Sequence, residues 1–137
     1  MIRRATREDI PRIVALGRQF HAYSPWRDVD YDEGQTAEFI GRVVDGLGAV
    51  FLSPDGMCGG ILTPLFFSPV LIGVEMFWWA PTNGRALREA FEDWALSSGA
   101  RAVQFSALAD DNIERVDRIY RRAGFKRAET AYVKGLG

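Results

Sequence analysis

Between residues 49 and 79 the sequence sets three strand-like segments end to end with almost no chain between them. Residues 49–53 run into the turn signature Pro54-Asp55-Gly56, residues 57–67 into Ser68-Pro69, and residues 71–79 complete the set. Connections this short join only antiparallel neighbours, because a parallel pair needs a crossover of a dozen or more residues. An antiparallel meander is therefore expected at the centre of the fold. Pro64, which has no N–H to give to a ladder, marks an irregularity or an edge within it.

The flanks carry helical spacing. Residues 2–6 look like a short first strand. Thr6-Arg7-Glu8-Asp9 then has the Ser/Thr-x-x-Asp/Glu pattern that caps a helix start, and Pro11 is tolerated in a first turn. Ile10, Ile13, Val14, Gly17 and Phe20 share one face of that helix, which is expected to stop between Tyr23 and Pro25. A second helix is expected over 33–45, with Ala37, Ile40, Val43 and Val44 as its apolar stripe, ended by Gly46 and Gly48. After the meander, residues 83–98 repeat Leu87, Phe91, Trp94 and Ala95 at helical intervals and stop at Gly99. Residues 102–108 read as a strand, 113–123 as a helix stopped by Gly124, and 126–130 and 131–136 as two short closing strands. The order is β-α-α-β-β-β-α-β-α-β-β, an α/β arrangement with a mixed sheet.

Composition narrows the class. The 137 residues, 47% hydrophobic and 26% charged, fit one domain spanning 1–137, and a chain of this length buries about two-thirds of its unfolded surface. Seventeen Lys and Arg against eighteen Asp and Glu give a net charge of -1. A nucleic-acid binder would carry a basic excess. The single cysteine, Cys58, excludes an internal disulfide and fits a reducing compartment. No apolar run reaches the ~20 residues that cross a bilayer, and no apolar stretch backs the basic start, so the expected location is the cytoplasm, with no membrane partner.

The element order resembles the GNAT acyltransferases over essentially the whole chain. The likeness is carried by IRRATREDIPRIVAL, a strand followed by a capped amphipathic helix; by GRALREAFEDWALSSGARAVQFSAL, similar to the family's third helix and the strand after it; and by ERVDRIYRRAGFKRAET, where Tyr120 stands four residues before Gly124-Phe125. The closing run resembles small phage-associated members. The resemblance implies an α/β fold with a mixed central sheet of about seven strands flanked by four helices. It also implies transfer of an acetyl group from acetyl-CoA to the primary amine of a small molecule or peptide, and a possible homodimer.

One segment departs from the family pattern. The phosphate loop usually reads Gln/Arg-x-x-Gly-x-Gly/Ala, but here only Ala80-Pro81-Thr82-Asn83-Gly84-Arg85-Ala86 joins strand to helix. One registration puts Pro81 at the Gln/Arg position and keeps Gly84 and Ala86. The other, which aligns the helix better, makes Gly84 the last glycine. The loop is abbreviated in both. The Asn that often precedes the fourth helix is displaced by one residue, at Asn112.

The candidate cofactor-binding residues are Thr82, Asn83, Gly84, Arg85 and Ala86, at a helix start. Unpaired N–H groups and the helix dipole hold phosphate there, and glycine permits close approach. Arg85 and Arg88 would add charge-assisted contacts. Otherwise Asn83 is an ordinary cap and the arginines face solvent. By resemblance the backbone of Phe77, Trp78 and Trp79 holds the pantetheine arm like an added strand, while their side chains pack the core.

Glu75 is the one charged residue in LIGVEMFWW. Alternation would put it on a face with Gly73, Phe77 and Trp79. Burial there would raise its pKa toward that of a general base, and the resemblance gives it that role; the alternatives are an Arg salt bridge or an exposed edge. Tyr120 matches the family's general acid, which protonates the departing thiolate, or else packs on the sheet. His21 and the 26–32 segment lie where an acceptor site often opens. Cys58 beside two glycines reads as a small buried residue, and Asp110-Asp111-Asn112 as a capping loop rather than a metal site.

Overall fold

The computed structural model describes residues 1–137 as two units, Met1–Ser106 and Ala107–Gly137. In the first unit the chain opens with β1 (Arg3–Arg4), a single 3-10 turn (Arg7–Asp9) and α1 (Ile10–Tyr23). The start is locked as its sequence implies: the Asp9 carboxylate accepts the Thr6 N–H at 2.8 Å and pairs with Arg3 at 2.6 Å. That guanidinium holds the Asp9 carboxyl well below the usual carboxylate range. Then come α2 (Glu33–Arg42), a widened π turn (Val43–Leu47) in which Gly46 takes φ 140°, β2 (Gly48–Leu52), β3 (Met57–Leu65), β4 (Ser68–Trp79), α3 (Gly84–Ser97) and β5 (Ala102–Gln104).

These strands form one sheet in the order β1-β2-β3-β4-β5, antiparallel throughout except for the parallel β4/β5 pair. The expected meander is present. Its second turn falls at Phe66-Phe67 rather than Ser68-Pro69, because Leu65 pairs with Ser68 and closes a two-residue loop.

The sheet separates two apolar layers. Ile13, Leu16, Ile40 and Val43 from the α1/α2 side pack on Val50, Leu52, Met57 and Phe77. Leu87 and Phe91 of α3 pack on Cys58, with Phe51, Trp78, Val103 and Phe105 around them. Each such fully buried side chain contributes about 1.5–3 kcal/mol relative to exposure.

In the second unit α4 (Ile113–Arg122) starts from a loop in which the Asp110 carboxylate accepts the Asn112 N–H at 2.9 Å. It stops at Gly124, whose φ of 92° lets the Phe125 N–H return to the Tyr120 carbonyl at 3.0 Å.

Two expectations are corrected. The sheet has five strands, not about seven, because neither closing segment forms a strand. Residues 126–130 offer only Ala128 as an apolar side chain, Arg127 instead reaches Asp117 at 3.2 Å, and all of 126–137 is exposed. A short segment does not hold as a strand without a ladder partner and a face to bury. The strand expected over 102–108 ends at Gln104, for a reason that lies in β4.

Candidate active site

Gly59 pairs with Phe77, and the next residue, Gly60, pairs with Glu75. Met76 is therefore bulged out of β4. Because adjacent residues of β3 point to opposite faces, Glu75 and Phe77 do so as well. This corrects the alternation read from the sequence. Glu75 lies with Gly73 and Trp78 on the α3 side, while Phe77 and Trp79 lie on the α1/α2 side. Gly60 is required at the bulge: a Cβ there would stand 2.0 Å from the Val74 carbonyl oxygen.

The same bulge parts β4 from β5. Their ladder covers Ile72, Gly73 and Val74 against Ala102, Val103 and Gln104, and stops. Past that point β5's continuation bonds to a side chain: the Ser106 N–H and hydroxyl reach Glu75 Oε1 at 3.0 and 3.3 Å. Glu75 is buried, and its burial pushes the carboxyl above the ordinary glutamate value, partly opposed by the two Ser106 hydrogen bonds. Trp78 packs edge-on against Phe105 across the parting, with ring centroids 5.5 Å apart. The Trp79 indole N–H donates to Gln19 on α1 at 3.1 Å, and its ring lies 5.0 Å from that of Tyr23.

The short loop after β4 carries the start of α3. Asn83 takes a left-handed conformation, φ 58° and ψ 28°, and makes no side-chain cap, so the first-turn amides of Gly84, Arg85 and Ala86 are not closed by it. A Cβ on Gly84 would sit 3.5 Å from Ala80 and Trp78, an ordinary contact. Thr82 is tied to the preceding turn, its hydroxyl donating to the Asp55 carboxylate at 2.8 and 3.0 Å. Arg85 is exposed and pairs with Glu89 at 3.0 Å. Arg88 does not reach outward as expected: it points into the fold, buried and paired with Glu92 one turn on.

Sequence reasoning had no signal for the cavity between α1, α2 and β4. It has a volume of about 280 Å³ and an apolar wall that includes Ile13, Phe20, Phe39, Ile40, Met57 and Phe77. His21 and Trp26 line it too. Glu75, on the other face of the sheet, is not in its wall. Ser106 was likewise unmarked. A glycine pair in β3 facing a lone Glu in β4 was the one available hint of the bulge.

Tyr120 belongs to the second unit. It is half-buried, its ring centroid 5.1 Å from that of Phe125. Cys58 is buried, and burial pushes its thiol well above the usual range, so it stays protonated.

The fold is shared with acetyltransferases. A probable acetyltransferase superposes with a TM-score of 0.75 at 13% identity, covering 100% of this chain and 98% of its own. The aminoglycoside acetyltransferase meta-AAC0020, from an uncultured soil metagenomic sample, gives 0.74 at 17% identity, over 100% and 96%. An acetyltransferase of Trypanosoma brucei gives 0.69 at 15%, over 99% of each chain. No protein-family profile matches the sequence, and no curated protein sequence matches it. No helix is long and apolar enough to cross a membrane.

Proposed function

We propose that this chain is a single GNAT-type domain over 1–137, an N-acetyltransferase of the cytoplasm that uses acetyl-CoA and a primary amine. The observation that carries the reading is the parting of β4 from β5 after Val74 and Gln104, followed at once by the uncapped start of α3. Parallel strands that separate leave room for an extended arm to add as a strand, here beside Phe77, Trp78 and Trp79. The first-turn amides of α3, at Gly84, Arg85 and Ala86, suit a pyrophosphate, with Thr82 and Asn83 shaping the loop before them. Acetyl-CoA supplies the activated thioester.

The protein's own residues then have three tasks. Backbone groups hold the acyl donor against the amine, which converts a bimolecular encounter into a positioned one. Glu75, its carboxyl raised by burial, accepts the ammonium proton, directly or through water. Tyr120 donates its phenolic proton to the leaving thiolate. The amine nitrogen bonds to the carbonyl carbon as the carbon–sulfur bond breaks; of the two protons the ammonium loses on becoming an amide, one goes to Glu75 and the other replaces the proton that Tyr120 gives to the thiolate. The likeness of the closing run to small phage-associated members belongs to the same reading. A second copy of this chain is a proposed partner, supported by the exposed Tyr132, Val133 and Leu136.

One observation favours a second reading, a degenerate GNAT domain that binds CoA or a protein without turnover. The shortened loop is tied to Asp55 through Thr82, which sets a carboxylate beside the segment that would meet phosphate. Calorimetry with acetyl-CoA on the wild type and on Gly84→Glu separates the two. Binding that Gly84→Glu weakens, followed by turnover with an amine, supports the enzyme. Binding without turnover supports the module. No binding of acetyl-CoA overturns the acetyltransferase reading.

A further inference from the structure

The cavity beside Phe77 has mostly apolar walls, and four of its polar side chains, Tyr31, His21, Ser24 and Thr36, bond to backbone carbonyls. The Tyr31 hydroxyl donates to the Val14 carbonyl at 2.7 Å, and His21 Nε2 lies 2.7 Å from the Val29 carbonyl. The Ser24 hydroxyl donates to the His21 carbonyl at 2.9 Å, and the Thr36 hydroxyl to the Asp32 carbonyl at 2.8 Å. The Tyr31 and His21 bonds tie the α1–α2 connection back to α1, and all four bonds occupy polar tips at the edge of the space. No Asp, Glu, Lys or Arg is in the wall.

The connection closes this tightly because residue 17 is glycine. A Cβ there would stand 2.5 Å from the Tyr31 hydroxyl and would push the ring off α1. The outer face of Tyr31 is covered by the Arg18 guanidinium, 4.9 Å from the ring centroid and paired with Glu33 at 2.7 Å, so the charge lies on the solvent side.

We infer that this cavity is the acceptor pocket and that it selects a primary amine carrying one compact aryl or branched aliphatic group, rejecting polycationic amines. The inference rests on the acetyl-transfer reading for the word acceptor, and on the cavity alone for the ligand class. A dry cavity of about 150 Å³ holds a benzene ring. About 280 Å³ therefore admits a ring with a short chain, and is at the small end of ligand pockets. Burying such a group gains roughly 25 cal/mol per Å² of apolar surface. A second ammonium carried into the same walls would lose its hydration with no carboxylate to meet it. Met57 and Met76, unbranched and adaptable, let the wall fit rings of different outline. The single amino group lies toward Met76 and Phe77 of β4, from which Glu75, on the opposite face of the sheet, is reached only through water.

The test is binding of 2-phenylethylamine to the whole chain without acetyl-CoA, read by methyl NMR of the methionines and by calorimetry, with spermidine as the polycationic probe. Expected are saturable shifts at the Met57 and Met76 methyls with 2-phenylethylamine and none with spermidine. Met76→Trp, at a half-exposed position on the rim, should weaken 2-phenylethylamine at least about tenfold while leaving acetyl-CoA affinity and the melting temperature unchanged. Tighter binding of spermidine, or no methyl shift with any aryl amine, overturns the proposal. Saturable binding at the methionines, with no acetylated product once acetyl-CoA is added in a second step, upholds the ligand class and sinks the acetyl-transfer reading instead.

Discussion

The Ser106 N–H donates to Glu75 Oε1 at 3.0 Å, across the gap where β4 and β5 part. A backbone amide that would have continued the ladder is satisfied by a carboxylate, so the gap does not leave that amide unpaired. One buried side chain thus both props the parting and supplies a titratable group inside it.

Glu75→Gln separates these roles. The amide keeps an oxygen to accept from Ser106 and cannot ionise. Because burial raises the folded-state pKa of Glu75, the wild type loses stability as pH climbs from the ordinary glutamate value through the raised one. The Glu75→Gln variant should abolish that slope and be the more stable form at neutral pH. Urea midpoints between roughly pH 4 and 8 measure this. If Glu75 is the base, kcat also falls about 10²–10⁴-fold and the acid limb of the kcat/KM profile disappears. An unchanged profile would leave Glu75 as a prop only.

The bulge makes a steric prediction. Gly60→Ala sets a Cβ 2.0 Å from the Val74 carbonyl oxygen, so backbone must shift, with an expected loss of roughly 2–4 kcal/mol in chemical unfolding. Gly84→Ala meets only 3.5 Å contacts and should change stability by less than about 0.5 kcal/mol.

Gly17→Ala and Tyr31→Phe probe the closed connection between α1 and α2. The first forces the Tyr31 ring outward; the second removes the hydroxyl that bonds the Val14 carbonyl and contacts Thr36. Tyr31→Phe should cost about 0.5–1.5 kcal/mol, and Gly17→Ala more. Hydrogen exchange should show faster opening of residues 24–31 in both.

Tyr120→Phe keeps the ring that packs on Phe125. If its hydroxyl is the thiolate's proton donor, its loss should lower kcat about 10²-fold or more with little change in KM for acetyl-CoA. Equal kinetics for the two proteins would remove Tyr120 from the reaction.

Cys58 should resist alkylation in the folded protein and react on unfolding, because it is buried with its thiol held protonated. Mass spectrometry with and without urea measures this.

Periodicity made most of the first unit legible. Three turn-linked strands had to be an antiparallel meander, and spacing gave α1, α2 and α3 their buried faces, since these patterns state which side of each element leaves water. The Thr6–Asp9 start was equally readable, because a cap is set within four residues. The closing segments were not legible in this way, because 126–136 buries no face that would hold a strand.

The site was legible in its residues and not in its geometry. That Glu75 stood out as a lone carboxylate in an apolar strand, and that Gly84 opened a helix, followed from sequence alone, because local pattern decides what is costly to bury. Which face Glu75 takes followed from Met76 being bulged opposite Gly59 and Gly60, residues distant in sequence. That Arg88 turns inward to Glu92, that Ser106 meets Glu75, and that Tyr31 and His21 at the cavity bind backbone carbonyls were likewise decided by packing. The elements and their apolar faces could be read along the chain because they rest on interactions a few residues long. Register, bulge and cavity could not, because each depends on contacts between segments that only folding brings together.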